Sequence, residues 1–221
     1  MTAILNNGVY NFSEAARLTQ LKGSRVREWF RVRHTENGRK PIFLGEYETI
    51  DGNRAISFLD LVDVYVAGQL RDHGVSLQTL RRVYEQLKID LDTSHPFSRK
   101  ELLSEGKEVF MRGVKAEGRE ELEEVLTHQR VFPEFLLPFL KRIAYDEVTR
   151  LAKRWRIGEG VVIDPTICFG KPIVEAVRIP TAVLAAAYEA NGKDAAAVAG
   201  WYNVQQCHVL AAVQFERKFA A

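Results

Sequence analysis

Between Ser13 and Arg33 two short helical patterns stand almost end to end, and they differ in character. Ser13 is a plausible N-cap, and Glu14 follows in the first turn, where negative charge suits the helix dipole. Ala15, Ala16 and Leu18 form a small apolar face that lets a partner pack closely. Thr19 to Gly23 interrupts, and a second pattern resumes from Ser24 to about Arg33. At 100° per residue, Val26, Trp29 and Phe30 share one face, while Ser24, Arg27 and Arg31 cluster opposite. An apolar anchor behind and guanidinium groups in front is what a helix laid in the DNA major groove requires.

Charge is concentrated at the same place. The net charge of the 221 residues is +2, which alone is uninformative. Yet residues 17–40 hold Arg17, Lys22, Arg25, Arg27, Arg31, Arg33, Arg39 and Lys40 against only Glu28 and Glu36. Residues 91–160 and 161–221 are each neutral. A local basic field suits an anionic partner, and the plainer alternative is a solvated helix face. Hydrophobic residues at 46% and charged residues at 27% fit a soluble globular chain, not a disordered, collagenous or coiled-coil one. No apolar run approaches the ~20 residues that span a bilayer, so no membrane association is expected. The amino terminus lacks the basic-then-apolar pattern of a secretory signal. Two cysteines, Cys168 and Cys207, suggest a reducing compartment, and together these point to the cytoplasm.

The rest of the chain divides into three stretches. In residues 1–90, the turn dipeptides Asn37-Gly38 and Asp51-Gly52 bracket Pro41–Leu44 and Tyr47–Ile50, which predicts a β-hairpin wing. Ser57 and Asp60 form a capping box before an amphipathic helix that Gly74 stops, and Ser76 caps another helix through Leu87. This unit is expected to be self-contained. Residues 91–159 form a mixed connecting segment, with a strand-like run at 107–112, an acidic stretch at 117–124, and prolines 133 and 138. Arg150 to Ile157 fits both strand and helix, and it carries Arg150, Lys153, Arg154 and Arg156 with no acid. In residues 160–221, Val161–Ile163 and Ile173–Ile179 are predicted strands. A helix follows from Pro180 to about Glu189, then one capped by Asp194, then one from Gln205 to Phe219, with Trp201-Tyr202 in the preceding turn. The expected fold is mainly α with small β wings (α+β): two winged helix-turn-helix-like domains joined by a mixed middle segment.

The candidate DNA-binding set is Lys22, Ser24, Arg25, Arg27, Arg31, Arg33, Arg39 and Lys40. A second nucleic-acid or partner surface comprises Arg150, Lys153, Arg154 and Arg156, with Gln205, Gln206 and His208 on the last helix. That last helix is polar but nearly uncharged, which favours protein contact or dimerisation over phosphate contact. Five histidines and two cysteines show no metal spacing, so no metal is expected. No phosphate loop or nucleophile elbow occurs, so neither a cofactor nor catalysis is expected.

Two resemblances sharpen this reading. The patterns YNFSEAARLTQLKGSRVREWF and ISFLDLVDVYVAGQLRDHGVSLQTLRRVYEQL resemble the MerR-like winged helix-turn-helix domain. In that family a long dimerisation helix follows, whereas here Asp90 to Pro96 breaks the helix. Residues 160–219 resemble a small prokaryotic helix-turn-helix domain of unknown function (DUF) of the antitoxin type. Asp164-Pro165, Gly170-Lys171-Pro172 and Arg178-Ile179-Pro180 carry the likeness, with Ala176-Val177 where that family usually has Gly-Thr. Together the two domains resemble VapB-type antitoxins of type II toxin–antitoxin modules. The resemblance implies neutralisation of a PIN-type ribonuclease toxin encoded next door, and autorepression through double-stranded operator DNA. Arg217 and Lys218 are candidate toxin contacts, since a PIN site is a carboxylate cluster around Mg²⁺; as surface charges they equally suit a helix C-terminus. A homodimer is expected, because helix-turn-helix proteins commonly read two half-sites. The alternatives are a MerR-like regulator without a toxin partner and a protein-interaction or dimerisation module.

Overall fold

The computed structural model describes residues 7–31, 41–47, 54–103 and 132–219, with side chains from 136 onward in the last stretch. Strand β1 (Tyr10–Asn11) leads into helices α1 (Phe12–Thr19) and α2 (Gly23–Trp29). Strand β2 (Ala55–Ile56) precedes α3 (Phe58–Asp72) and α4 (Leu77–Asp90), and a 3₁₀ turn covers Pro96–Ser98. Helix α5 (Phe132–Leu140) opens the second half. Strands β3 (Ile143–Tyr145), β4 (Ala152–Gly158), β5 (Val161–Ile163), β6 (Ile173–Val174) and β7 (Ile179–Pro180) follow. Helices α6 (Thr181–Ala190), α7 (Ala195–Tyr202) and α8 (Gln206–Phe219) end the described chain. Helices and antiparallel sheets thus combine in an α+β architecture.

Local chemistry accounts for most helix ends. Ser57 accepts the Asp60 amide, and Asp60 returns to the Ser57 amide, so α3 starts on a capping box as the sequence predicts. Gly74 follows its end at φ +92°, a left-handed position that suits glycine. Ser76 caps α4, and the Asp194 carboxylate accepts two amides at the start of α7. At α1 the cap is Asn11, not Ser13: its side chain accepts the Glu14 amide at 2.8 Å, while Glu14 accepts the Asn11 amide at 3.0 Å. A capping box needs its acid at the third helical position, and only Asn11 has Glu14 there.

Four other expectations are corrected. Helix α2 ends at Trp29, so Arg31 lies beyond it. Residues 41–44 contain no strand, because Ile42 and Phe43 donate their amides to the Trp29 carbonyl at 2.9 and 3.1 Å and have none left for a ladder. The small sheet of this region instead pairs β1 with β2, Tyr10 facing Ile56. The segment 173–179 is not one strand but β6 and β7 joined by a tight turn over 175–178, with Arg178 left-handed at φ 57°. Trp201 and Tyr202 close α7 instead of sitting in the turn after it. The predicted turn dipeptides 37–38 and 51–52, the strand-like run 107–112 and the acidic stretch 117–124 lie outside the described residues.

Strands β3 to β7 form one antiparallel meander in chain order. Residues 150–157, ambiguous by periodicity, supply its longest strand, with Ala152, Trp155 and Ile157 turned inward and Lys153 and Arg156 outward. The larger apolar core runs from Tyr10 through α3 and α4 to Leu140, Trp155, Ile163 and Phe219, so it crosses residues 90 and 160. A smaller core of Val174, Leu184, Val198, Val209 and Val213 holds α6 to α8 together.

The last segment is fastened to the first by specific bonds. The Tyr10 hydroxyl, fully buried, donates to the Gly170 carbonyl at 2.8 Å, and the Val9 amide donates to the Phe169 carbonyl at 3.1 Å. Burial and nearby negative groups push the Tyr10 hydroxyl pKa far up, so it stays a donor. Arg17 on α1 pairs with Glu216 on α8 at 3.1 Å, and Glu216 also accepts from Thr181. Lys171 pairs with Glu14.

Candidate nucleic-acid interface

Helix α2 has two sides of opposite chemistry. Val26 and Trp29 are buried, and Trp29 meets Phe43 edge-on at 5.9 Å. Ser24, Arg27 and Arg31 are exposed and line one open groove with Phe12, Glu28 and Arg54. Neither Arg27 nor Arg31 forms an ion pair with any described residue. Two guanidinium groups with unspent donors beside a serine hydroxyl suit phosphate and base-edge contacts.

The structure also divides the candidate set. Lys22 is exposed at the N-cap of α2, while Arg25 is half-buried and pairs with Asp72 of α3 at 2.7 Å. That pair ties α2 to its scaffold and leaves Arg25 fewer donors for a ligand. Arg33, Arg39 and Lys40 lie outside the described residues. One groove residue was missed by sequence reasoning: Arg54 donates to the Phe30 carbonyl at 2.6 Å, which steers it beside α2. Its signal was its place just after the Asp51-Gly52 dipeptide and three residues before the Ser57 cap of α3.

The same half of the chain holds a polar network that spacing did not reveal. His95 places Nδ1 3.1 Å from Asp63 and 3.8 Å from Asp60. Its Nε2 is 3.1 Å from Glu46 but poorly aligned for a hydrogen bond. Tyr84 and Ser98 donate to the two Asp63 oxygens at 2.7 and 2.9 Å. Burial alone lowers the His95 pKa, but Asp63, Glu46 and Asp60 outweigh it and hold it up at about 10. Asp60 is raised, chiefly by burial, and contact with His95 lowers Glu46. The network joins the loop after α2 to α3, α4 and the 3₁₀ turn. Two of its carboxylates, Asp60 and Asp63, sit at buried positions of α3, which a hydrophobic pattern does not mark.

The second basic set is spent inside the chain. Arg150 pairs with Glu101 at 3.0 Å, and Lys153 lies 4.0 Å from Asp146. Arg154 pairs with Asp164 at 3.1 Å and approaches Glu175 at 3.6 Å, where Arg156 also lies within 3.5 Å. This is the ion-paired wet face of a strand. On α8, Gln206 is exposed, and the Gln205 amide donates to His208 Nδ1 at 3.3 Å. Beside them Trp201 is 65% exposed and Leu210 48% exposed. Arg217 pairs with Glu189 at 3.0 Å and lies 5.9 Å from the Tyr188 ring, and Lys218 lies 5.9 Å from the Phe219 ring. Among the described residues no three His, Cys, Asp or Glu are grouped to hold a metal ion, and no helix is long and apolar enough to cross a membrane.

Residues 161–215 match the family described as protein of unknown function (DUF433). No curated protein matches the chain. Among solved structures, the chain is similar to the crystal structure of Rv2018 from Mycobacterium tuberculosis, with a TM-score of 0.74 at 22% identity, over 92% of this chain and 96% of that one. At that identity the likeness is one of fold.

Proposed function

We propose that this chain is a DNA-binding antitoxin of the VapB type, with helix-turn-helix units at both ends. In this reading it acts in the cytoplasm as a homodimer, represses its own operon, and neutralises a PIN-type ribonuclease encoded beside it. One observation carries the DNA half: Ser24, Arg27, Arg31 and Arg54 share an open groove in front of α2 while Val26 and Trp29 anchor it from behind. Helix α1, joined to α2 by Gln20–Lys22, would cross the backbone while α2 enters the groove. The toxin half rests on resemblance. Because Arg217 is paired with Glu189, its use against a toxin requires exchange of one carboxylate for another.

The test is binding to the chain's own promoter DNA, with log affinity followed against log salt. A slope of several units is expected, because each neutralised phosphate contributes about −0.9. A flat response at low salt ends the DNA reading. Co-purification with the neighbouring gene product tests the toxin half separately. A second reading, that the last three helices are a protein-docking unit, is favoured by Trp201, Tyr202 and Leu210 lying exposed near an uncharged α8 start.

A further inference from the structure

We propose that the exposed face formed by the end of α7 and the first half of α8 is the surface on which a second copy of this chain docks. This rests on the docking reading of the last three helices and names their partner. Trp201 and Tyr202 close α7, and the turn to α8 spans only residues 203–205, so the two helix ends lie side by side. Trp201 is 65% exposed, Tyr202 37% and Leu210 48%. Along α8, Gln206, Leu210 and Gln214 recur at every fourth position and are all exposed, as is Cys207. Large aromatic side chains held in water among uncharged polar neighbours match the centre of a protein interface, where aromatic residues are enriched and charges depleted.

Charge identifies the occupant. Residues 195–215 contain no Asp, Glu, Lys or Arg, although 27% of the chain is charged. The carboxylates that flank this stretch are satisfied within the chain: Asp194 caps α7, and Glu216 accepts from Arg17 and Thr181. DNA would need cations here, and a strongly charged protein would need countercharges. In a twofold contact the same patch serves both subunits, so a charge near the axis faces its own like. A charge-free face is therefore one that its own copy can cover without repulsion. None of the residues lining the groove in front of α2 belongs to this face, so a dimer formed here leaves both grooves open.

Sedimentation equilibrium of the full chain is the first test, and a dimer is expected at micromolar concentration. Trp201→Glu and Leu210→Glu, both surface changes, each bring two like charges into the contact and should weaken dimerisation at least tenfold. Leu210→Met should leave it unchanged. So should Val148→Glu, which adds the same charge at a residue 91% exposed elsewhere. In the unsubstituted chain, Cys207 should react with a maleimide several-fold more slowly at concentrations that favour the dimer, while Cys168, also exposed, keeps its rate. A chain that stays monomeric up to about 100 µM, or Cys207 equally reactive in monomer and dimer, overturns the proposal. So does a monomeric chain that retains the neighbouring gene product and releases it in Leu210→Glu, which gives the face to that protein. A dimer indifferent to both glutamate variants overturns this face and leaves the homodimer reading intact. A dimer made through this face that fails to bind promoter DNA ends the DNA reading and leaves the face standing.

Discussion

Arg25 and Arg27 stand two positions apart on α2 and are in different chemical situations. Asp72 already holds Arg25, whereas Arg27 faces the groove with no ionic partner among the described residues. Arg27→Ala or Arg31→Ala is therefore expected to act on DNA directly. Loss of a phosphate contact lowers the salt slope by about one, and loss of a base contact costs about 1–3 kcal/mol and relaxes specificity. Titration of promoter DNA against salt, with scrambled sequence as the comparison, checks this. His95 makes a second prediction at this scale. Its folded pKa is raised from 6.5 to about 10 by Asp63, Glu46 and Asp60 against the effect of burial. A raised value means stability fully present below about 6.5 and lost as pH climbs toward 10. Urea unfolding at pH 7 and pH 10 should show that decline, and His95→Gln should be less stable at pH 7 and flatten it. A parent curve that rises across this interval would refute the role given to His95.

Among the elements, the turn at 168–170 is unusual in holding Cys168, Phe169 and Gly170 all at positive φ, with Phe169 largely exposed. A Cβ at Gly170 would lie 2.1 Å from the Tyr10 hydroxyl. Gly170→Ala thus meets both a left-handed backbone and a collision inside the joint between first and last segments, and should cost about 3 kcal/mol in urea unfolding. Tyr10→Phe keeps the ring and removes only the bond to Gly170, so about 1 kcal/mol is expected. Elements were legible where a side chain caps its own backbone. The Ser57, Ser76 and Asp194 caps were visible because a cap is a contact between residues two or three apart. The β6–β7 turn was hidden because its left-handed residue is Arg178, not glycine or asparagine. The 41–44 run looked like a strand, but its amides answer to the end of α2.

For the whole molecule, the question is which segments fold together. Tyr65 of α3 stacks on Trp155 of β4, and Phe139 and Phe219 close over the same core. A fragment cut at residue 90 leaves Tyr65 and its neighbours facing water, and is expected to aggregate or unfold. The full chain should melt in a single transition. Two separated transitions, or a well-dispersed spectrum from the fragment, would show that the shared core is dispensable. Arg154, Asp164 and Glu175 make the same point from the polar side, since the basic run at 150–156 finds its counter-charges on other strands and loops.

Sequence alone determined what depends on near neighbours: the two-faced pattern of α2, most helix caps, the Asp164-Pro165 and Gly170-Lys171-Pro172 punctuation, and where positive charge is in excess or balanced along the chain. Tertiary structure decided which of the chain's cations remain available. Arg25, Arg150, Arg154 and Arg217 are each met by a carboxylate 10 to 49 residues away, and Arg27 and Arg31 by none among the described residues. It also assembled His95 with Asp63 and Glu46, and Trp155 with Tyr65. The reason is range: capping and amphipathicity act over a turn or two of chain, whereas ion pairing and burial depend on where distant segments come to lie.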